Sequence, residues 1–335
     1  IIPPDNFVQH PQYGSLYLLD WRKKRSGFPL VGNKTWKDYR VELEILPASK
    51  RGFLGLNFHA QSDGLGACNV HFPLDGSGRN EVFQAMGIWG KSGSWKLYPE
   101  SQAYALFPTG QWIRLRLDIT GEFANLYAQG SSRPLLTLLE LPYSSGGIQF
   151  WSYLGSGYFR NLRVTQLSPA DIVPGFDSPW DIYADLNVIR TWQVTPPQKP
   201  DFGSTGIPEA VCSSKIRWID VEADRKGVVN LSRLFPEKNR KAAVFAKAIA
   251  RSVEKVKRIC RLTYTDRLTI WCNGVQVFKG PPRGWNDPDR DKHFGGRLIP
   301  DEYEVKIMLE PGDSTILLRS EVTEPFGWGF WMRID

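Results

Sequence analysis

The chain contains 335 residues, enough for two domains, and its net charge of +7 is modest for that length. No run of about 18 apolar residues occurs, so the sequence predicts no membrane span. The unusual counts are 13 Trp, 31 Gly and 24 Pro, and aromatic residues between Gly and Pro are more typical of short strands and turns than of helices.

The first predicted strands alternate apolar and charged residues. Residues 39–46 read YRVELEIL and residues 112–120 read WIRLRLDIT, with an apolar residue at every second position. Such alternation predicts a strand with one buried face and one wet face. Short segments of this kind, separated by Gly, Ser and Pro, continue to Val164. The pattern favours two packed antiparallel sheets.

A proline-rich segment follows, with prolines at 169, 174, 179, 196, 197, 200 and 208. Such a run is incompatible with a regular helix or a central strand. We therefore expect a first domain at 1–165, a linker at 166–188 and a second domain at 189–335. Three apolar residues predict that this region packs on the domains instead of hanging free: Trp180, Tyr183 and Trp192.

The second half returns to short strand-like segments, among them RLTIWCNGVQVFKG at 267–280. Residues 239–258 leave two interpretations open. Their composition favours a helix. A period of two also fits part of the segment, since Phe245 and Lys247 alternate with Val244 and Ala246. The segment by itself does not decide between helix and strand.

Positive charge is densest at 238–261, which holds nine Lys/Arg; the acidic residues are Glu254 within it and Glu237 directly before it. The stretch is interpreted either as a nucleic-acid groove or as the solvated faces of strands. Solvated faces are favoured, so no nucleic-acid partner is expected.

The sequence contains four cysteines, Cys68, Cys212, Cys260 and Cys272. They show no CxxC spacing, which argues against zinc and favours free, mostly buried thiols. Cys260 and Cys272 flank a predicted hairpin, CRLTYTDRLTIWC. With its turn at 265–266, Cys260 would face Trp271, so a disulfide between the two would need another register.

Residues 36–165 resemble the concanavalin-like jelly-roll sandwiches of the 3-keto-disaccharide hydrolase type. The resemblance rests on the order of WKDYRVELEI, GFLGLNFHAQ, NVHFPLD, GQWIRLRLDITGEFANLYAQG and GYFRNLRV. It implies a β-sandwich related to carbohydrate-active proteins. It transfers no catalytic residue to this chain.

Residues 189–335 resemble the galactose-binding-like jelly rolls attached to bacterial glycosidases, on WCNGVQV and the closing GWGF above all. This resemblance implies that 242–264 forms two strands. It also implies that the last strand returns to the middle of a sheet. Trp328, Phe330 and Trp331 would then be core and second-layer aromatics, with Gly327 and Gly329 easing a bend.

The hairpin FLGLNFHAQSDGLGACNVHF, residues 53–72, is the most informative stretch for a site. A register that pairs Ala60 with Cys68 puts apolar residues on one face. Four polar residues would then share the other face, namely Asn57, His59, Asn69 and His71. Amides and imidazoles offer the paired donors and acceptors that sugar hydroxyls need. Three aromatic residues are candidates to stack on sugar rings: Trp89, Trp95 and Trp151.

Two other interpretations of this face remain open. It is either a plain solvated face or, with the imidazoles of His59 and His71, a metal site that lacks a third ligand. The catalytic residues are unknown. Glu42 and Glu44 share a face with Arg40, and Asp118 lies among arginines, which favours a charged outer surface over a catalytic acid–base pair. No Gly-x-Ser-x-Gly, P-loop or dinucleotide motif occurs.

The loop at 280–297 carries a second set of candidates. Asp287, Asp289 and Asp291 have the alternate spacing of a calcium loop, but the expected glycine and the distal Glu are missing. Trp285 and His293, with Arg290, would instead form a small sugar-binding mouth. A plain solvated loop is the third interpretation. We expect no cofactor.

The sequence thus predicts an all-β protein with two β-sandwich (jelly-roll) domains in tandem that binds carbohydrate. The alternatives are a glycoside hydrolase or 3-keto-glycoside lyase using the His59/His71 face, or a structural interaction module. The resemblances imply bacterial glycan recognition or degradation in an extracellular or periplasmic setting. Without an initiator Met or a signal-peptide pattern, the chain fits either a mature exported form or a trimmed one.

Overall fold

The structure is a computed structural model. It describes residues 7–20, 22, 30–50, 52–61, 66–73, 81–89, 95–105, 108–139, 141, 143–172, 187–199, 206–213, 215–224, 227–235, 242–283, 298, 301–322 and 328–335. For residues 71, 73, 81–89, 95–105, 139 and 210 it describes the backbone alone. Over these ranges the regular secondary structure is almost entirely β-strand, which confirms the predicted all-β class with two β-sandwich domains. No helix within them is long and apolar enough to cross a membrane.

The chain divides into two compact units. The first consists of residues 1–96 and 101–180, and the second is mainly residues 181–335. The last strand of the first unit ends at Gln166, and the first strand of the second begins at Thr191. Of the expected linker, the described part includes a single 3-10 turn, Pro169–Asp171, which Ser168 caps. The bounds expected for the two domains and the linker stay predictions.

The described part of the first unit contains twelve strands. They are β1 (Phe7–His10), β2 (Gly14–Asp20), β3 (Tyr39–Pro47), β4 (Phe53–Ala60), β5 (Cys68–Pro73), β6 (Glu81–Trp89), β7 (Trp95–Ala105), β8 (Ile113–Ile119), β9 (Phe123–Ala128), β10 (Leu136–Leu139), β11 (Gly147–Tyr153) and β12 (Ser156–Gln166). One sheet has the order β1-β2-β12-β3-β8-β9-β10, and the other has the order β11-β4-β5-β6-β7.

The core of the first unit lies between these two sheets. Strand β3 contributes Val41, Leu43 and Ile45, and β4 contributes Leu54, Leu56 and Phe58, all of them buried in one cluster. These are the residues that period-two alternation assigns to the inner face. The alternation therefore placed the inner faces of β3 and β4 correctly, and it leaves the opposite face of each sheet for charged or polar residues.

The charged residues of β3 and β8 lie on the outer face of the seven-stranded sheet, as expected. Arg40 Nε lies 2.6 Å from Asp118 Oδ1, and this hydrogen bond raises the pKa of Arg40. Arg160 Nε lies 2.6 Å from Glu44 Oε2. Because both carboxylates are paired with arginines, Asp118 and Glu44 belong to the charged outer face of this sheet.

Ten strands and two short helices lie in the described ranges of the second unit. The strands are β13 (Thr191–Val194), β14 (Ile219–Glu222), β15 (Val228–Asn230), β16 (Ala243–Ser252), β17 (Val256–Tyr264), β18 (Arg267–Cys272), β19 (Val275–Lys279), β20 (Tyr303–Leu309), β21 (Gly312–Glu321) and β22 (Gly329–Ile334), and the helices are α1 (Glu209–Cys212) and α2 (Leu231–Leu234). The two sheets have the orders β14-β13-β16-β21-β18-β19 and β15-β22-β17-β20.

The ambiguous segment 239–258 forms strands where it is described, as the resemblance implied. Strand β16 pairs with β21 over its whole length, from Ala243 opposite Glu321 to Ser252 opposite Gly312. Val244 and Ala246 enter the main core of the unit, while Phe245 packs in a separate cluster on the other face. Burial on both faces of a central strand explains why tertiary contacts override the helix propensity.

The aromatic C-terminal strand closes the four-stranded sheet from within. Strand β22 lies between β15 and β17, which confirms its predicted place in the middle of a sheet. Trp328 and Phe330 belong to the main core. Trp331 points to the other side of the sheet, where it packs with Val188 and Val228. These aromatics are therefore structural residues of two different layers.

The predicted hairpin between Cys260 and Cys272 is wrong. Strand β17 belongs to the four-stranded sheet and β18 to the six-stranded sheet, so the chain crosses the sandwich at Thr265 and Asp266 instead of turning back on itself. Cys260 and Cys272 both point into the core between the sheets and are free thiols. The sequence did not distinguish a hairpin within one sheet from a crossing between two sheets, because both give two apolar strands joined by a two-residue turn.

Candidate functional site

The outer face of the five-stranded sheet in the first unit carries the polar residues singled out in the sequence. The inner face of β4, β5 and β11 is apolar and buried, with Leu56, Val70 and Phe150 in the core. Asn57 of β4, Asn69 of β5 and Gln149 of β11 alternate with these core residues and so lie on the opposite face. This face is the candidate site.

The predicted register of the β4–β5 hairpin is wrong by two residues. Asn57 pairs with Asn69, Phe58 with Cys68, and Gly55 with His71. The pairing of Ala60 with Cys68 fails because β4 leaves the extended conformation at His59, whose φ is +47°. The register between β4 and β11 also shifts there, between Gly147 and Gln149. A local irregularity of this kind is invisible to period-two counting.

Three amide side chains form a hydrogen-bonded row across β5, β4 and β11, which we call the amide ladder (Asn69, Asn57 and Gln149). Asn57 Nδ2 donates to Gln149 Oε1 at 3.1 Å. Asn69 Nδ2 donates to Asn57 Oδ1 in the same direction. The ladder is therefore polarised, with the amide NH2 of Gln149 at one end and the carbonyl oxygen of Asn69 at the other.

The two ends of the amide ladder differ in exposure. Asn69 is 2% exposed, and its Oδ1 has no hydrogen-bond partner among the described residues. A buried acceptor without a partner costs about 1–3 kcal/mol, so this oxygen is primed to accept a hydrogen bond. Asn57 and Gln149 are partly exposed. The open side of the ladder can therefore be reached from solvent.

Trp151 lies beside the ladder, directly against the backbone of β4. It pairs with Gly55, two residues along both strands from the Gln149–Asn57 pair. A Cβ atom at Gly55 would lie 2.0 Å from Cε2 of the Trp151 ring, so only glycine leaves room for the indole. Trp151 is half-buried. The candidate site therefore has a partly exposed aromatic ring, that of Trp151, next to the amide ladder.

His59 does not belong to this face, which corrects the predicted grouping. It is 0% exposed. Its Nδ1 lies 2.6 Å from the carbonyl oxygen of Tyr143, and its Nε2 lies 3.3 Å from that of Lys37. Burial lowers the pKa of His59, although these two carbonyls act in the opposite direction. Because both ring nitrogens face backbone carbonyls, His59 has no nitrogen free for a sugar or a metal ion.

The other predicted site residues are placed only in part. His71 lies opposite Gly55 in β5, and Trp89 and Trp95 lie at the end of β6 and the start of β7, each described by its backbone alone. The remaining candidates lie outside the described residues: Trp285, His293, Asp287, Asp289 and Asp291. In the described ranges no three His, Cys, Asp or Glu side chains cluster as metal ligands would.

Sequence reasoning missed Gln149. The segment GIQFWSY alternates in the manner of a strand, which was a usable signal for Gln149. Nothing local indicates that this strand lies beside β4, because Asn57 and Gln149 are 92 positions apart in the sequence. Their pairing is a property of the sheet order. Only that order brings Gln149 into contact with Asn57.

No family model matches the chain, and no curated protein matches it. Three solved structures are similar to this chain over about half of its length or less. A carbohydrate-binding module from Bacillus subtilis (CBM66) is 12% identical, with 48% of this chain and 91% of that chain covered, at a TM-score of 0.36.

Two further structures show similarity of the same order. Domain 4 of a GH43 extracellular arabinanase from Geobacillus stearothermophilus, in complex with arabinotriose, is 16% identical, with 51% of this chain and 79% of that chain covered, at a TM-score of 0.32. A toad ovary galectin in complex with thio-digalactose is 11% identical, with 42% and 98% covered, at a TM-score of 0.30. Similarity at this level assigns no family to the chain.

Proposed function

We propose that the first unit binds carbohydrate on the outer face of β11, β4 and β5. The observation that carries this proposal is the polarised amide ladder next to Trp151. A pyranose ring presents an apolar face of C–H groups and an edge of hydroxyls that both donate and accept hydrogen bonds. The site offers a counterpart for each, an indole ring for the face and amide groups for the edge.

The ladder favours vicinal hydroxyls over a single polar group. The NH2 group of Gln149, whose Oε1 accepts from Asn57, would donate to one hydroxyl, and the unpartnered carbonyl oxygen of Asn69 would accept from the next. Because the three amides hold one another in place, little side-chain entropy is lost when a sugar binds. A ligand hydroxyl or a bridging water that reaches Asn69 Oδ1 would also satisfy a buried acceptor.

Binding without turnover is the form of this function that the described side chains favour. Glycosidases need two carboxyl groups placed on either side of the scissile bond. The described side chains of the candidate site are amides and aromatics, while Glu44 and Asp118 are paired with arginines on the other sheet. The alternative of a hydrolase or lyase on a His59/His71 face also loses His59, which is buried and hydrogen-bonded to backbone.

The proposal also includes the family types of the two domains. We assign residues 36–165 to the 3-keto-disaccharide hydrolase type of sandwich and residues 189–335 to the galactose-binding-like jelly rolls, on the resemblances given above. They support a role in bacterial glycan recognition outside the cytoplasm. Absence of a nucleic-acid partner stays a prediction. Three basic residues of 238–261 are already paired with carboxylates, namely Arg251, Lys255 and Arg261.

The test compares glycan binding by Trp151→Ala and Asn57→Ala with binding by Trp112→Ala, on a glycan array followed by calorimetry. Trp112 is a matched control because it is an aromatic residue on the outer face of the other sheet, where Arg160 stacks on it at 3.8 Å. The first two variants should lose about tenfold or more in affinity, and the control should not. Equal glycan binding by all three variants, or none by the wild type, would refute the proposal.

A further inference from the structure

A second concave site lies in the second unit, and the carbohydrate-binding proposal does not involve it. A cavity of about 640 Å³ forms between the segment 206–218, which includes α1, and the outer face of the six-stranded sheet. Cavities of about 300–1,000 Å³ are typical of sites for small organic ligands. We call it the outer cavity; its lining includes Val211, Cys212, Ile216, Trp218, Lys247 and Leu317.

The wall of the outer cavity is held by the packing of the segment on the sheet. Val211 and Leu317 are buried in one cluster with Phe245, and Ile216 and Trp218 pack against that cluster. On the opposite rim, the turn at Asn273 and Gly274 has two positive φ angles, +50° and +82°. Asn273 Oδ1 accepts from Thr315 N at 2.8 Å, which fixes the turn. The cavity is thus preformed by the fold.

Lys247 is the charged residue of this cavity. Its Nζ lies 4.2 Å from the centre of the Trp218 ring, and no ion pair of Lys247 occurs among the described residues. Other basic residues of the same face do have carboxylate partners. Arg251 pairs with Asp313, and Arg319 with Glu321. Lys247 therefore provides a positive charge inside a mostly apolar cavity whose lining includes no carboxylate.

We propose that the outer cavity binds a small organic carboxylate with an apolar body. The carboxylate would accept a hydrogen bond from the ammonium group of Lys247, where charge assistance makes the contact strong. The apolar body would lie against Trp218 and Ile216. Removal of these apolar surfaces from water would favour binding. A neutral ligand would leave the ammonium group without a counterion, and a cationic ligand would be repelled by it.

This inference is independent of carbohydrate binding in the first unit. It concerns a different unit, a different chemistry and a single class of ligand. The two proposals therefore fail separately, because a protein that binds glycans normally can still leave the outer cavity empty, and the reverse.

Cys212 makes occupancy of the cavity measurable. It lines the cavity and is exposed, whereas Cys68, Cys260 and Cys272 are buried. The full chain is treated with dithiodipyridine, a neutral thiol reagent, while phenylbutyrate or its amide, phenylbutyramide, is present. Phenylbutyrate should slow the modification of Cys212 in proportion to its occupancy, and the amide should not. Calorimetry with phenylbutyrate gives the affinity.

The charge is tested by Lys247→Met, with Lys247→Arg as the conservative variant. The methionine variant should weaken phenylbutyrate binding about tenfold, and the arginine variant should keep most of the affinity. Lys279→Met is the matched control, since Lys279 is an exposed lysine of the same sheet that does not line the cavity. Thermal melting verifies that each variant is folded. Failure of phenylbutyrate to bind at millimolar concentration, equal binding by the amide, or equal loss in the control would overturn the proposal.

Discussion

Trp151 rests on Gly55, so closely that a Cβ atom on that glycine would lie 2.0 Å from Cε2 and 2.1 Å from Cζ2 of the indole ring. The two residues are direct partners in the β11–β4 pairing. The absence of a side chain at Gly55 thus makes room for the indole ring that we assign to sugar stacking. A substitution at Gly55 should therefore displace the ring of Trp151 without removing it.

Gly55→Ala should displace Trp151 and weaken glycan binding about as much as Trp151→Ala does. The added methyl group has no space, and overpacking of this kind typically costs about 1–3 kcal/mol of unfolding free energy. Urea unfolding and tryptophan fluorescence measure the two effects. Unchanged fluorescence together with unchanged glycan binding would show that the ring does not rest on Gly55 as described.

Asn69→Asp should destabilise the protein at neutral pH by about 3 kcal/mol or more. The substitution places a buried carboxylate against the carbonyl oxygen of Asn57, which now accepts from Asn69. Burial would raise the pKa of this new carboxyl. The destabilisation should therefore be full above the raised folded pKa, decrease as the pH falls below that value, and be gone below the usual Asp pKa of about 3.9.

The control for this prediction is Asn33→Asp, the same change at an exposed turn. Asn33 Oδ1 accepts from Thr35 N at 2.9 Å, and a carboxylate accepts equally well. This variant should alter the unfolding free energy by about 0.5 kcal/mol or less. A similar loss in both variants would mean that charge, and not the amide ladder, determines the outcome.

His59 should make the protein less stable in mild acid. Burial lowers the pKa of His59 below its usual 6.5, so the unfolded chain takes up a proton that the folded protein refuses. The contribution of neutral His59 to the unfolding free energy is fully present above pH 6.5. It decreases as the pH falls below 6.5 and stops decreasing below the lowered pKa of His59 in the folded protein. Denaturant unfolding between neutral and mildly acidic pH measures this slope.

The variant His59→Asn separates this residue from other titrating groups. Asn tolerates the positive φ at this position, but it loses hydrogen bonds of the imidazole to backbone carbonyls, at a cost of about 1–3 kcal/mol. Its unfolding free energy should depend less on pH than that of the wild type over the same range. An identical pH dependence in both proteins would contradict the assigned burial.

One thiol of the four should react with a small disulfide reagent in the native protein, and all four in denaturant. Cys212 is exposed, while the other three are buried. Burial raises the pKa of Cys68 and Cys260 to about 12 and also raises that of Cys272, so little thiolate forms at neutral pH. Rapid reaction of Cys260 or Cys272 in the native state would argue against the placement of β17 and β18 in separate sheets with both thiols in the core between them.

The sequence alone determined the strands and their inner faces. Alternation in 39–46 and in 53–58 assigned Val41, Leu43, Leu54 and Leu56 to the core, because a strand directs successive side chains to opposite sides and burial selects the apolar set. Alternation is a local property, so a local pattern carries it. The closing aromatics were also placed correctly, but on the resemblance to the galactose-binding-like jelly rolls and not on a local pattern.

The tertiary structure decided which strands are neighbours and in which register. The break at His59, with its positive φ, removed that residue from the face that counting had given it and shifted the β4–β5 register by two residues. Gln149 joined the site only because β11 lies beside β4. Pairing depends on which distant segments bury one another, and many registers satisfy the same alternation. The strands could therefore be predicted from the sequence, but the ladder of Asn69, Asn57 and Gln149 required the folded sheet.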